Sequence, residues 1–381
     1  VASLTWVVSY EVSGTSYTLD DVQSISYESG RRWTTDPYQA GRGQVVLRDP
    51  SSWTAPKPAV GRTIYVYTQS VLSGFLGKIT DVEIRYGEVP AMDEAIITFE
   101  GPIGSIGRNQ LNSYSFTEEP ALFQAAETAI DSDVTTVAKY GTTSTASAQT
   151  YTGNALSIFN EQMLTEVGRV GEAFDNGTNT LAVALYGRLA YSSVNTVLLS
   201  DVPADWTATP NYWKYKEIEF KSAAENYFTK VTIQPQAVAQ QTSGTGKYAL
   251  VQESVDVSTT QALQHAEYLK SQYGGQTITP YSVTLDYVSQ VTALTSFRQE
   301  LLSSYVNSAT SPTGVYTMVA TPVELKFRGT TYYGVVEGYK VTANPANTQV
   351  TLYFSPQDQN DYLYWNGANP YGNWDENKWS F

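Results

Sequence analysis

One hairpin pattern occurs twice in this chain, and the repetition limits the folds open to it more than any other feature. The first copy is SGFLGKITDVEIRYGEVPAMDEAIITFEG at 73–101, and the second is TTYYGVVEGYKVTANPANTQVTLYFSP at 330–356. Aligned without gaps, Phe75, Gly77, Ile79, Val82 and Ile84 fall on Tyr332, Gly334, Val336, Tyr339 and Val341. Each copy then passes through a polar loop, of different length in the two, to a return strand at 95–99 or 349–354. A further strand precedes each hairpin, with 63–67 set against 323–327. Apolar residues at every second position, bounded by Gly, Pro and Asn, mark half-buried antiparallel strands. A chain with two similar β-modules presents near-equivalent surfaces twice per subunit, which suits part of a ring better than a single-pocket enzyme.

At 381 residues the chain has room for two to four domains and for a core that needs no covalent staples. It contains no cysteine, so disulfides, Cys-ligated metal sites and a thiol nucleophile are excluded. No apolar run approaches the ~20 residues of a membrane span, and the first residues lack the pattern of a signal peptide, so no membrane span is expected. Net charge is −14, from 37 acidic and 23 basic residues, which opposes nucleic-acid binding because that affinity comes from Lys and Arg neutralising phosphates. The basic pair Arg31-Arg32 reads as a solvated turn. The 29 tyrosines and 8 tryptophans fit extensive protein or glycan contact.

The fold class expected is mainly β with an α+β insert, two similar β-barrel modules flanking a small α+β domain, followed by an aromatic C-terminal arm. Region 1–101 reads as strands at 4–12, 17–27, 43–47 and 63–68 ahead of the first hairpin. Region 102–214 carries a helix begun by Thr117 and Pro120, with Leu122, Phe123, Ala126 and Ile130 behind them, and a loop at 142–150. There Gly153-Asn154 opens a second helix, and a hairpin turns at 175–177. Region 215–356 holds strands at 218–220, 228–233, 248–255 and 281–287, a loop at 240–246, and a helix at 259–273 opened by a Ser258/Gln261 capping box. A further helix is expected at 294–305 before the second β-module, and 357–381 has no usable periodicity.

The succession of motifs resembles the minor tail proteins of long-tailed bacteriophages, of the baseplate hub or tail-tip hub type. The segment DVQSISYESGRRWTTDPYQAGRGQVVLRDP is similar to their N-terminal pattern, in which a strand leads to a Gly-Arg turn, an aromatic-Gln-Ala-Gly segment and a second strand. ALSIFNEQMLTEVGRVGEAFDNGTNTLAVALYGR resembles the helix and hairpin of their middle domain. The helix at 259–273 and the strand behind it match the approach to their second barrel, whereas 288–317 diverges and a fused lytic or fibre domain is not expected. The resemblance implies a structural virion protein at the tail tip, assembled in the host cytoplasm. Its homotrimer would form a pseudo-sixfold ring against the tail tube or distal tail protein. Tape measure and tip or fibre proteins would be its neighbours, and DNA would pass through without specific binding. The alternatives are a hexameric distal tail adaptor and a receptor- or glycan-binding component.

No catalytic or cofactor set emerges. His265 is the only histidine, so a multi-His metal site is excluded and a surface or packing role is expected. The pairs Glu118/Glu119 and Glu217/Glu219 suggest glycosidase chemistry only if they face each other across a cleft, and a helix start accounts for the first. An enzyme is not expected. In the arm, Trp365, Tyr371, Trp374 and Trp379 lie among Asn, Asp and Gly, a composition used by sugar platforms and also by aromatic anchors docking on a neighbour. A stretch too short for its own core favours docking.

Overall fold

The computed structural model describes residues 6–33, 35–48, 56–68, 71–89, 92–141, 144–175, 180–188, 196–207, 212–221, 227–273, 279–286 and 318–356. The helix expected at 294–305, the divergent segment and the aromatic arm lie outside them.

The first module holds β1 (Trp6–Val12), β2 (Thr15–Leu19), β3 (Val22–Gly30), β4 (Arg42–Arg48), β5 (Thr63–Thr68), β6 (Val71–Arg85) and β7 (Glu94–Glu100). The strand expected at 17–27 is two strands, because Asp21 turns the chain at φ +58. A Ser13-Gly14 turn with both φ positive joins β1 to β2, the geometry favoured by a two-residue hairpin. Side chains alternate as the pattern requires: Val45, Leu47, Ile64, Val66, Ile97 and Phe99 are buried on one face.

The insert contains α1 (Ile103–Arg108), β8 (Gln110–Phe116), β9 (Glu119–Pro120), α2 (Ala121–Asp131), β10 (Thr136–Tyr140), β11 (Thr145–Ala146), β12 (Gln149–Asn154), α3 (Ala155–Thr165), β13 (Arg169–Asp175) and β14 (Thr180–Tyr186). Asn154 caps α3 by accepting from the backbone of Leu156 and Ser157, as its position implies. Helix α2 departs from expectation. Pro120 is in an extended conformation and no side chain caps the helix, which starts one residue later and packs through Leu122 and a row of alanines. Phe123 and Ile130, expected in the core, are 37% and 58% exposed. Glu118 and Glu119 precede this helix rather than occupying its first turn, and Glu119 pairs with Ala146. The loop expected at 142–150 is largely β11 and the start of β12 among its described residues.

Next come β15 (Val197–Ser200), β16 (Glu217–Lys221), β17 (Lys230–Pro235), β18 (Gln241–Gly244), β19 (Ala249–Ser254), α4 (Thr259–Tyr273), β20 (Thr279–Asp286), β21 (Pro322–Phe327), β22 (Thr330–Asn344) and β23 (Asn347–Pro356). The expected loop at 240–246 thus contains β18. Strands β17 to β19 and α4 form a separate small layer around Phe228, Val231, Ile233 and Leu269. The expected Ser258 cap is present through Gln261 N–H at 3.3 Å.

The two β-modules are the same meander: β5 pairs β6 and β6 pairs β7, as β21 pairs β22 and β22 pairs β23. Each long strand carries a bulge at the same aligned place, between Ile79 and Asp81 in β6 and between Val336 and Gly338 in β22. The preceding strands align one residue away from the sequence expectation, with Ile64 opposite Gly77 and Val323 opposite Gly334. Burial sets that register, since Ile64 and Val66, like Val323 and Leu325, must face the core. The modules are not two sheets closed into barrels. Pairing of β22 with β3 fuses them into one thirteen-stranded sheet whose order is β16-β20-β23-β22-β3-β4-β7-β6-β5-β1-β2, with β21 and β15 branching from β22. Among the described residues no helix is long and apolar enough to cross a membrane.

Candidate functional site at the joint between the modules

The place where β3 meets β22 concentrates the buried charge of the described chain. Strand β3 ends at Gly30 with φ +82, and Arg31 N–H then donates to the Glu337 carbonyl at 3.0 Å. The bulge removes Glu337 from regular pairing with β23, and its carboxylate stands between two cations. Glu337 Oε2 accepts from Arg31 Nε at 2.9 Å, and Oε1 accepts from Arg169 Nε at 2.9 Å. These side chains are between 0% and 5% exposed. Further guanidinium donors go to backbone carbonyls: Arg31 Nη2 to Gly168 at 2.7 Å, and Arg169 Nη1 to Arg188 at 3.2 Å. Arg31 also lies 4.4 Å from the centre of the Tyr38 ring. Burial works against its charge, but Tyr38 and Glu337 outweigh burial and hold the guanidinium above its ordinary pKa.

The described residues of the link between β3 and β4, 31–33 and 35–41, form a strap that touches all three regions. Trp33 stacks on Tyr281 of the second module at 4.8 Å. Tyr38 exchanges backbone bonds with the Asn160 amide of α3, at 2.6 and 3.2 Å, and its hydroxyl donates to Gly168 O. Gly41 N–H donates to Glu172 Oε2 at 2.6 Å. A cleft of about 320 Å³ beside the strap is walled by Arg32, Asp36 and Tyr353, so water reaches the strap while the Arg31 side chain stays 1% exposed.

Glu172, on β13, makes a second knot. Besides Gly41 it accepts from Ser29 Oγ at 3.2 Å and from Ile103 N–H at 3.0 Å. Burial pushes its carboxyl up to about 7 against the pull of these donors. The folded chain therefore holds this proton more tightly than the unfolded chain. Its contribution to stability is complete below about 4.5, the ordinary value, and is lost as pH rises through about 7, by roughly 3 kcal/mol. Asp36 and Glu161, also raised by burial, add to the same trend. Urea midpoints measured from pH 4.5 to 7.5 should fall with rising pH, and Glu172→Gln should flatten much of that slope; an unchanged slope would refute the assignment.

Arg31 is thus a correction to the sequence reading. It is buried and doubly engaged, and only Arg32 is solvated, 59% exposed and 4.0 Å from Glu28. His265 is a packing residue: it is 1% exposed, with Nδ1 3.3 Å from Asp256 Oδ2. Glu217 and Glu219 lie on β16, an end strand of the thirteen-stranded sheet among the described residues, whereas Glu119 lies on β9 of a separate two-stranded sheet. Trp365, Tyr371, Trp374 and Trp379 lie outside the described residues. Glu337, Arg169 and Glu172 were missed. The signal available was a charged residue placed among apolar strand residues, as in GVVEGYKV and GRVGEAF, where only pairing makes burial tolerable.

No protein-family model and no curated protein sequence matches the chain. Solved structures do. A tail protein from Neisseria meningitidis MC58 is 12% identical and superposes with a TM-score of 0.59 over 92% of this chain and 96% of its own. The 43 kDa tail protein of prophage MuSo2 from Shewanella oneidensis is 12% identical, with a TM-score of 0.56 over 93% of this chain and 97% of its own. An E. coli component of the type VI secretion system, itself described as similar to T4 tail proteins gp27 and gp5, is 11% identical, with a TM-score of 0.52 over 89% of this chain and 74% of its own. The chain, with its paired modules, insert and charged joint, has the fold of phage tail proteins.

Proposed function

We propose that this chain is a structural, non-enzymatic subunit of a tail: a tip hub whose three copies form a pseudo-sixfold ring, join the tail tube to the distal tip and leave a passage for the genome. The observation that carries this reading is the repeated meander, with its bulge at the same place in both copies and both copies fused in one sheet. Such a chain offers two near-equivalent blocks, so three chains supply six. The likeness to whole tail proteins from Neisseria and Shewanella, over more than nine-tenths of each chain, supports a role in the tail body. The buried ion cluster fits this role because it fixes the angle between the blocks. The excess of 37 acidic over 23 basic residues suits a wall along which DNA slides without sticking. The aromatic arm is assigned to docking on a neighbouring tail protein. Mass measurement and electron microscopy of the assembled protein test the reading together: three chains in a ring of six similar lobes are expected, and a monomer or six chains would refute it.

A further inference from the structure

The first module has a free edge where the second module has its partner. In β22, the segment after the bulge is paired on one side with β23 and on the other with β3, from Gly338 opposite Gly30 to Ala343 opposite Ile25. The corresponding segment of β6, Asp81 to Arg85, pairs with β7 on one side. On the other side no strand pairs with it among the described residues, and Val82 N–H turns to the Asp81 carboxylate at 2.9 Å. Asp81, Glu83 and Arg85 are exposed, and Tyr86 just beyond is 80% exposed.

The strand that would fill this edge is identified by the same equivalence. Ile25 of β3 lies opposite Val45, and Val45 opposite Ile97; Ile218 of β16 lies opposite Val283, and Val283 opposite Leu352. Ile97 and Leu352 are themselves equivalent, because they face Val82 and Tyr339. Hence β16 is the counterpart of β3. The rings agree: Tyr27 lies 5.4 Å from Phe75, and their counterparts Phe220 and Tyr332 are also 5.4 Å apart. Among the described residues strand β16 ends the sheet, with β20 as its only strand partner.

We propose that β16 of one copy of this chain adds as an antiparallel strand to the outer edge of β6 in the next copy, in the register by which β3 joins β22. This rests on the ring reading above and specifies its joint. Carrying the register across places Lys221 opposite Glu83, Phe220 opposite Ile84, Glu219 opposite Arg85 and Ile218 opposite Tyr86. Both charged pairs are of opposite sign and lie on one face, and the apolar pairs lie on the other, the arrangement that stabilises adjacent strands. Within one chain Arg85 already holds Glu83 at 2.9 Å and reaches Glu94 at 3.9 Å, Glu219 accepts from Ser282, and Lys221 lies over Trp33 and Tyr281. These contacts within the chain exchange for cross-strand ones. The internal joint has the reverse polarity, Lys340 opposite Glu28, so β16 with its Lys221 is mismatched to β22. A charged edge strand resists indiscriminate pairing and accepts a strand of matching pattern. Because the contact joins two different surfaces, it propagates from copy to copy, and the threefold rotation of the ring reading closes it.

The absence of cysteine makes a covalent test clean. Strands β16 and β6 are seven positions apart in the sheet, so a bond between them must link two copies. The full chain carrying Glu83→Cys and Lys221→Cys should oxidise to a covalent ladder ending at the ring, whereas Arg85→Cys with Lys221→Cys, two residues out of register, should not. Separately, Arg85→Glu or Glu219→Arg should raise the concentration needed for assembly by about tenfold or more, and the double reversal should restore it. A wild-type ring with no register-specific bond and no effect of reversal would overturn the joint and leave the ring standing. A chain that is monomeric at every concentration would overturn both.

Discussion

Glu337→Gln should lower the stability of the folded chain by about 3 to 5 kcal/mol, read as a fall in urea midpoint at unchanged slope. The residue is isosteric, so the cost is electrostatic. Glu337 is the carboxylate to which Arg31 Nε and Arg169 Nε both donate at 2.9 Å, and removing its charge leaves two guanidinium groups together in a site closed to water. The Gly168 and Arg188 carbonyls that also accept from them are neutral and do not replace that charge. Replacing all three charged residues by apolar ones of similar volume should cost much less than Glu337→Gln alone, because a buried ion pair is expensive to break yet gains little over good packing. If the triple variant is stable but no longer forms rings, the cluster serves to fix the angle between modules. A single variant as stable as the parent would mean that the site is open to water.

Much of the fold was readable because period-two alternation is a strong local signal. The β5-β6-β7 and β21-β22-β23 meanders, α3 with its Asn154 cap and α4 with Ser258 all follow from spacing and turn chemistry. The failures share a cause: the deciding contacts are distant in sequence. Arg31 looked like a surface turn because its partner lies 306 residues away. Strand β10 was hidden because it pairs in parallel with β14 across α3 and three other strands, and short parallel strands carry no turn signal. On helix α2 the expected Leu122 and Ala126 are buried but Phe123 and Ile130 are not, because the rest of its core side is built of alanines, which leave little hydrophobic contrast, while Lys139 covers the exposed Phe123 ring at 4.3 Å. The fusion of two modules into one sheet depends on an edge-to-edge pairing that no local pattern encodes.

That pairing depends on two glycines, and Gly30→Ala should open it. Gly30 lies opposite Gly338, and its φ of +82 alone would cost an alanine about 1 kcal/mol. The larger cost is steric. A Cβ on Gly30 would sit 2.3 Å from the Glu337 carbonyl oxygen and 2.6 Å from Gly338 Cα, both backbone atoms of the neighbouring strand that cannot rotate away. The strands must separate, which stretches the Arg31 N–H bond to Glu337 and draws the carboxylate off its two arginines. A total loss of about 3 kcal/mol or more is expected, with faster hydrogen exchange confined at first to 338–343 and 25–30, the residues that pair across the joint. Gly14→Ala supplies the control, since Gly14 has φ +81 and nothing within 4 Å of the added Cβ. It carries the same backbone strain without the collision, so it should cost only about 1 kcal/mol and leave the joint amides protected. Equal losses at the two positions would show that the modules are held together elsewhere, and that close approach of β3 to β22 is incidental.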